Sequence, residues 1–468
     1  RVRSDNEQHY LLLLCDAEDT DEVLSNIKRL GFTTVSFKEY SGTAEENIRR
    51  MEAREEELKG LIEACKSQIV AFKKDAELLE DAADSLSAEL VRENARNNIL
   101  KTEYTILITS WVPEREMKRV EKLLQKFGCA YEFRDPAEGE SPPVILHNSR
   151  FFYPFNMVTN MYSLPEYGSL DPNPLFGLFF ALFFGIMFAD IGYGLLLVLV
   201  SIFATRKLYL RKGSMTEQMV MLAGICGVAA IFWGIMFGSF FGDAVSVFSE
   251  NFLGTRYVLP PLAFNPLEGN GPLILLVVCL GMGAVHILFG MGIKAYMLIR
   301  DGKPWDALMD VGSWWLLFAG IALAVLGKGW YVALAGALAL VLTQGRASKG
   351  IFGKLLKGLS SLYDITAYFS DVLSYSRLMA LCMAGAVIAS VFNILGGMTG
   401  PVFFWVVFII GHLFNMGINI IGTYVHSARL QYLEFFGKWY REGGKPFEPL
   451  SVLTKYVNVK NEQEEISI

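Results

Sequence analysis

Cysteine is sparse and unpaired in this 468-residue chain. Its six cysteines (Cys15, Cys65, Cys129, Cys226, Cys279 and Cys382) are scattered, with no CxxC pair. That distribution speaks against a zinc site or disulfide framework and fits small buried apolar residues. There is no Gly-rich phosphate loop, no GxxxxGK[ST] signature and no nucleophile constellation, so the chain reads as having no catalytic site of its own. Basic excess is absent too: a net charge of −6 gives no case for nucleic acid. The first residue is Arg1 rather than Met, and no signal peptide precedes the polar part. The expectation is of a fragment whose upstream segment is missing.

What is present is a sharp division. Residues 1–150 are rich in Glu, Lys and Arg, while from about residue 174 apolar runs recur at the length that crosses a bilayer as a helix, roughly 20 residues. The reading is a soluble arm (1–150), a linker (151–173), a transmembrane domain (174–441) and a cytoplasmic tail (442–468). The fold class is mainly α.

The arm shows two small α/β lobes, at 7–43 and 100–137. "HYLLLLCD" and "TTVSFKEY" read as strands around the amphipathic helix "TDEVLSNIKRLGF". "YTILITSWV" and "CAYEFRD" read as strands around "PEREMKRVEKLLQKFG". Between them, 44–99 reads as one long helix. Leu58, Ile62, Cys65, Ile69, Phe72, Ala76, Leu79, Ala83, Leu86 and Leu90 alternate four- and three-residue steps, the seam of a coiled coil. No second heptad run is available, so the expected partner is an antiparallel helix upstream of Arg1, with another protein as the alternative.

Apolar segments lie near 174–205, 217–241, 271–299, 307–326, 329–344, 365–398 and 401–436. The basic stretches "RKLYLRKG", "RDGKPW" and "GRASKGIFGKLLKG" mark cytoplasmic loops. One crossing over 174–205 would put "RKLYLRKG" on the wrong side. Gly185, Asp190, Gly192 and Gly194 offer a break at mid-segment, so the expectation is a hairpin, about eight helices and both ends cytoplasmic. Asp190 is the polar residue of that hairpin.

The last span carries polar residues where lipid-facing ones are expected. At 100° per residue, Gly422, Asn415, His426, Asn419 and His412 all fall within roughly 100° of Arg429. Such a stripe lines water or meets a polar partner inside the membrane. The preceding span carries Arg377, with Ser370 and Ser374 on the same face and Ala380, Ala384 and Gly385 permitting close helix approach. Both last spans are read as long and tilted, presenting two cations to one surface. Each cation costs about 2.5–3.5 kcal/mol at the membrane centre on insertion scales. Snorkelling or pairing with a carboxylate is the simpler alternative, and the favoured one for Lys294 near a helix end. His286 reads as a packed core histidine.

At these residues the chain resembles the membrane stator subunit of rotary V/A-type ATPases, subunit a, or subunit I in prokaryotes. "LFFALFFGIMFADIGYG" is similar to the family's first membrane signature, "DVLSYSRLMAL" to the stretch with one essential arginine, and "YVHSARLQYLEFFGKWYREGGKPFEPLS" to the stretch with the second. The resemblance implies that Arg377 and Arg429 are the ion-translocation arginines. It implies half-channels lined by His426, Asn419, Asn415, His412, Ser374 and Asp364. It further implies a ring of c-type proteolipid subunits, peripheral-stalk subunits at the lobes, a central-stalk linker subunit, surrounding lipid, and no bound cofactor beyond a transported proton or sodium ion. The location implied is a prokaryotic plasma membrane. Two positions depart from the eukaryotic pattern: Gly385 stands where it has His, and Asn419 where it has Glu. Two other classes compete. A secondary transporter would show internal repeats, and none is seen. A membrane scaffold would leave the polar stripe without purpose.

Overall fold

The computed structural model describes residues 3–4, 9–10, 15–16, 18–32, 41–97, 99–137, 139–208, 210, 213–327, 329–346, 351–449 and 454–456. It divides into two compact units, Arg1–Thr109 with Leu450–Ile468, and Ser110–Pro449.

In the first unit, β1 (Arg3–Ser4) pairs antiparallel with β2 (His9–Tyr10), and α1 spans Thr20–Arg29. The strand expected at "TTVSFKEY" and most of "HYLLLLCD" lie outside the described residues. The long helix forms as α2 (Ala44–Ala71) and α3 (Lys73–Asn97), parted only at Phe72. It starts at Thr43 because the T-x-x-E spacing closes a capping box: Thr43 Oγ1 accepts from Glu46 N at 3.3 Å, and Glu46 Oε2 accepts from Thr43 N at 2.8 Å. The seam residues Leu58, Ile62, Ile69, Phe72, Leu79, Leu86 and Leu90 are exposed, so nothing among the described residues covers it. Near the end of the chain, the Lys455 and Tyr456 amides donate to the buried Asp84 carboxylate at 2.7 and 2.9 Å.

The second lobe departs from expectation. β3 (Leu100–Lys101) and β4 (Ile106–Leu107) make a two-stranded hairpin, but "CAYEFRD" forms no strand. Alternation gives a segment a face, but a strand also needs a neighbour's backbone groups to close a ladder. Among the described residues none lies alongside.

The second unit carries α4 (Met117–Lys126), α5 (Asn156–Tyr162), and a helical assembly: α6 (Asn173–Phe188), α7 (Ile191–Lys207), α8 (Met215–Phe237), α9 (Ala244–Leu253), α10 (Gly271–Arg300), α11 (Pro304–Ala307), α12 (Ser313–Val325), α13 (Trp330–Gln344), α14 (Ile351–Ser374), α15 (Ser376–Met398), α16 (Pro401–Arg429) and α17 (Phe436–Trp439). A π segment, Leu308–Gly312, joins α11 to α12, and another, Leu430–Phe435, joins α16 to α17. Among the described residues, five helical stretches are long and apolar enough to cross a membrane, and α6 and α13 are shorter apolar helices. The protein is a multi-pass helical membrane protein.

The hairpin at 174–205 forms. A Cβ on Gly185 would lie 2.7 Å from the Ala229 carbonyl oxygen, and one on Gly194 2.7 Å from that of Gly227. Both helices therefore press backbone to backbone on α8, which glycine alone allows. Ser201 donates to Val220 O at 2.7 Å, near the start of α8. Ile191 N donates to Ser239 O, just past its end. So α7 runs antiparallel to α8, while α6 runs alongside it in the same direction. The beginning of α6 and the end of α7 return to one side, as the charge pattern requires. "GKLLKG" is not a loop: α14 starts at Ile351, so the helix bearing Ser374 begins well before the apolar run does.

Two further features fix the later helices. β5 (Leu164–Pro165) pairs with β6 (Glu442–Gly444), tying the entrance of the membrane unit to the end of its last helix. An aromatic core of Phe155, Phe176, Phe180 and Phe436 sits at that junction.

Candidate functional site

α15 and α16 run antiparallel in constant register. Gly411 meets Phe392, Gly385 meets Asn419, and Gly422 meets Leu381. Continuing that register places Arg377 opposite His426, one turn before Arg429. The two arginines are close enough to interact electrostatically, and His426 feels both. The antiparallel register and short turn thus bring within about one helical turn of each other two cations that sit 52 positions apart in the sequence.

Arg377 has its Nη1 buried without a hydrogen-bond partner among the described residues. Arg429 is exposed and makes no ion pair among them. The π segment that follows Arg429 turns Gln431 and Glu434 inward, where they are 0 % and 4 % exposed. Glu434 lies in electrostatic reach of Arg377 and Asp371, with Ser374 at the edge of hydrogen-bonding range. Its Oε2, both amide atoms of Gln431, His426 Nδ1, Thr423 Oγ1 and Ser427 Oγ are buried without closing a hydrogen bond. Unsatisfied buried polar atoms are rare because each costs free energy. Of these residues, His426 and Glu434 lie in electrostatic reach of Arg377, whereas Gln431 lies within reach of His286, whose Nε2 also has no hydrogen-bond partner among the described residues.

The rest of the stripe does something different. His412 Nδ1 meets Tyr193 Oη at 2.6 Å, and its Nε2 meets Asn393 Oδ1 at 2.8 Å. Asn393 Nδ2 donates to Phe241 O and Asp243 Oδ1, both at 2.8 Å. Asn415 Nδ2 donates to Tyr193 Oη at 3.0 Å and to Gly385 O at 3.1 Å, and Asn419 Nδ2 donates to Asn415 Oδ1 at 2.8 Å. A hydrogen-bonded chain therefore runs from Asn419, at the middle of α16, to Asp243 at the loop after α8. Since both Asn393 N–H bonds point away, its oxygen must accept, which places the His412 proton on Nε2 and lets Tyr193 donate to Nδ1. A cavity of about 20 Å³, room for one water, adjoins Asn419, Gly385, Tyr193 and Asp190.

Asp190 closes the hairpin. Its carboxylate accepts from Tyr193 N (3.0 Å), Phe241 N (3.0 Å), Gly242 N (2.7 Å) and Ser239 Oγ (2.6 Å). It caps α7 and fastens the loop after α8, a positioning role. His286 is buried, bonded through Nδ1 to Tyr375 Oη at 2.8 Å and stacked on Phe435.

The structure joins Arg377, Ser374, His426 and Arg429 in one cluster, and His412, Asn415 and Asn419 in a second. Asp364 joins neither; it is exposed on α14. The carboxylate near Arg377 among the described residues is Glu434, which in turn feels Asp371, itself paired with Lys438 at 2.5 Å. Sequence reasoning did not single out Glu434, Gln431, Tyr193, Asn393 or Asp243. A lone carboxylate inside "LQYLEFF" was a usable signal for the first.

Residues 4–258 match the V-type ATPase 116kDa subunit family. An A-type ATP synthase subunit I of Methanocaldococcus jannaschii is 32% identical over 94% of this chain and 68% of its own length. The A-type ATP synthase subunit I of Pyrococcus horikoshii is 30% identical over 96% and 70%. A V-type ATP synthase subunit I of Chlamydia pneumoniae is 25% identical over 73% and 60%. With the match spanning more than half of the chain and the archaeal likeness nearly all of it, this protein belongs to the V-type ATPase 116kDa subunit family.

Proposed function

We propose that this chain is the stator of a rotary ATPase, forming ion half-channels against a rotating ring of c-type proteolipid subunits and coupling proton or sodium movement to ATP hydrolysis or synthesis. The observation that carries this reading is Arg377: a guanidinium whose buried Nη1 has no partner among the described residues, facing His426 and one turn from exposed Arg429. A ring carboxylate crossing lipid must be neutral, by protonation or by holding an ion. A fixed positive charge opposite it favours the ionised form, so the ion departs. Arginine suits this role because it keeps its proton even when partly desolvated.

In this reading, Glu434, Ser374, Gln431 and His426 line the half-channel on the side where α16 ends. Asn419, Asn415, Tyr193 and His412 line the route toward Asp243. Asp364 stays outside both. ATP chemistry belongs to other chains. The arm binds peripheral-stalk subunits, the complex includes a central-stalk linker, and both ends of the chain face the cytoplasm of a prokaryotic cell.

The test is Arg377→Ala in the assembled complex, reconstituted into vesicles. Assembly is expected to persist while ATP-driven ion uptake is lost. Normal uptake in Arg377→Ala, or failed assembly that Arg377→Lys restores together with normal uptake, supports a scaffold instead.

A further inference from the structure

A cavity of about 190 Å³ opens between α10 and the end of the last helix, and its walls include Lys294, Met297, Lys438, Trp439, Tyr440 and Arg441. No carboxylate lines it. Two of its three cations are held in place from outside. Lys438 pairs with Asp371 at 2.5 Å and sits 4.1 Å above the Tyr368 ring. Arg441 uses Nη2 to hold Asp301 at 2.8 Å, which leaves its other donors available. The third, Lys294, is exposed on α10 and has neither ion pair nor hydrogen bond among the described residues. The site therefore offers one uncompensated charge and a fixed guanidinium beside an indole and a phenol.

We propose that this cavity binds the phosphate of an anionic phospholipid headgroup. A phosphate ester carries the charge and acceptor oxygens that Lys294 and Arg441 can satisfy together. Depth decides between a lipid and a soluble phosphate. Lys294 lies six residues before the end of α10, about 9 Å down the helix axis. The helix around it is apolar enough to span a bilayer. A soluble anion would have to enter along that apolar edge, whereas a lipid headgroup already sits there. Trp439 and Tyr440 fit the same level, since amphipathic rings gather at the membrane–water interface. A lysine that would otherwise only snorkel becomes half of a headgroup clamp. The contact also spans two elements, so a bound lipid would brace α10 against the end of the helix that carries Arg429.

The test uses the full chain purified in detergent, incubated with phosphatidylglycerol or phosphatidylcholine and examined by native mass spectrometry. Inorganic phosphate is added as competitor in a separate arm. Wild type is expected to retain phosphatidylglycerol about tenfold better than phosphatidylcholine, Lys294→Glu to lose that preference, and Lys294→Arg to keep it. Millimolar phosphate is expected not to displace the lipid. Equal retention of the two lipids, or an unchanged preference in Lys294→Glu, overturns the proposal. Displacement by phosphate assigns the cavity to a soluble anion and overturns the lipid assignment. If Lys294→Glu does not fold, Lys294→Gln is read against Lys294→Arg by the same criteria.

Discussion

Gly385 and Asn419 lie against each other: a Cβ on Gly385 would sit 3.0 Å from Asn419 Nδ2. These are the two positions at which the chain departs from the eukaryotic pattern of His and Glu. Since the two positions touch, the His and Glu that the resemblance leads one to expect there would form a contacting titratable pair, where this chain has a neutral one. A carboxylate at 419 without a partner at 385 would sit half-buried and uncompensated, and an imidazole at 385 has no room while Asn419 keeps its present place. Gly385→Ala is expected to cost about 1–3 kcal/mol by overpacking. The Gly385→His, Asn419→Glu double variant is expected to be more stable than its two singles imply, with a coupling of at least ~1 kcal/mol. Thermal unfolding of the four proteins in detergent measures the cycle, and strict additivity would show the two positions to be independent.

Asp190 satisfies four donors at once, three of them backbone amides. Asp190→Ala leaves those donors buried and unpaired, at about 1–3 kcal/mol each. The expected result is a chain that fails to accumulate in folded form. Asp190→Asn keeps one acceptor oxygen but points an amide N–H at existing donors, so it should fall between. Expression level and melting temperature in detergent check the order. An Asp190→Ala protein that folds normally would remove Asp190 from its place as the fastening of the hairpin.

Much of this architecture was legible in the sequence, and what was not has identifiable causes. The hairpin followed from charge parity and from glycines in an apolar run, both local signals. The arginine pair followed from two polar interruptions in adjacent spans. Tyr193 was invisible as a hub because its partners His412 and Asn415 lie some two hundred residues away, and an aromatic in "DIGYG" gives no sign of them. Glu434 was missed for a geometric reason. On an α-helical wheel it falls roughly 140° from Arg429, on the opposite face. The π segment Leu430–Phe435 slows the turn, carrying Glu434 back toward the Arg377 side. Asp364 was chosen by its distance ahead of Arg377; it lies exposed on α14, apart from the two clusters. The strand expected at "CAYEFRD" failed because alternation says nothing about a neighbour.

The Asp301–Arg441 pair ties the loop after α10 to the strand end at β6, outside the membrane helices. Its hydrogen bond to Arg441 holds the Asp301 carboxyl below the usual carboxylate range. A depressed folded-state value means the contact stabilises above the unfolded value of about 3.9 and is lost as pH falls through the folded one. Asp301→Asn is therefore expected to lower the melting temperature at pH 7 and to make no difference at the acid end of the stability range. A deficit that is constant with pH would show that the residue acts through shape, not charge.

Glu434 is the sharpest probe of the proposed mechanism, because its volume and its charge can be changed separately. Glu434→Gln keeps the packing of the π segment but removes the carboxylate facing Arg377. Assembly should be preserved, and ATP-driven uptake in vesicles should fall about a hundredfold if the carboxylate passes protons between water and the ring. Glu434→Asp keeps the charge and should retain a measurable fraction of uptake with an altered pH profile. The decisive comparison is the double variant with Arg377→Ala. Two groups acting as one unit lose their function together, so the double variant should be no worse than Arg377→Ala alone. Losses that multiply would separate Glu434 from Arg377 and make it a structural acid of the helix end. In that case the half-channel on this side would have to be built from Ser374, Gln431 and His426, which carry no fixed negative charge between them.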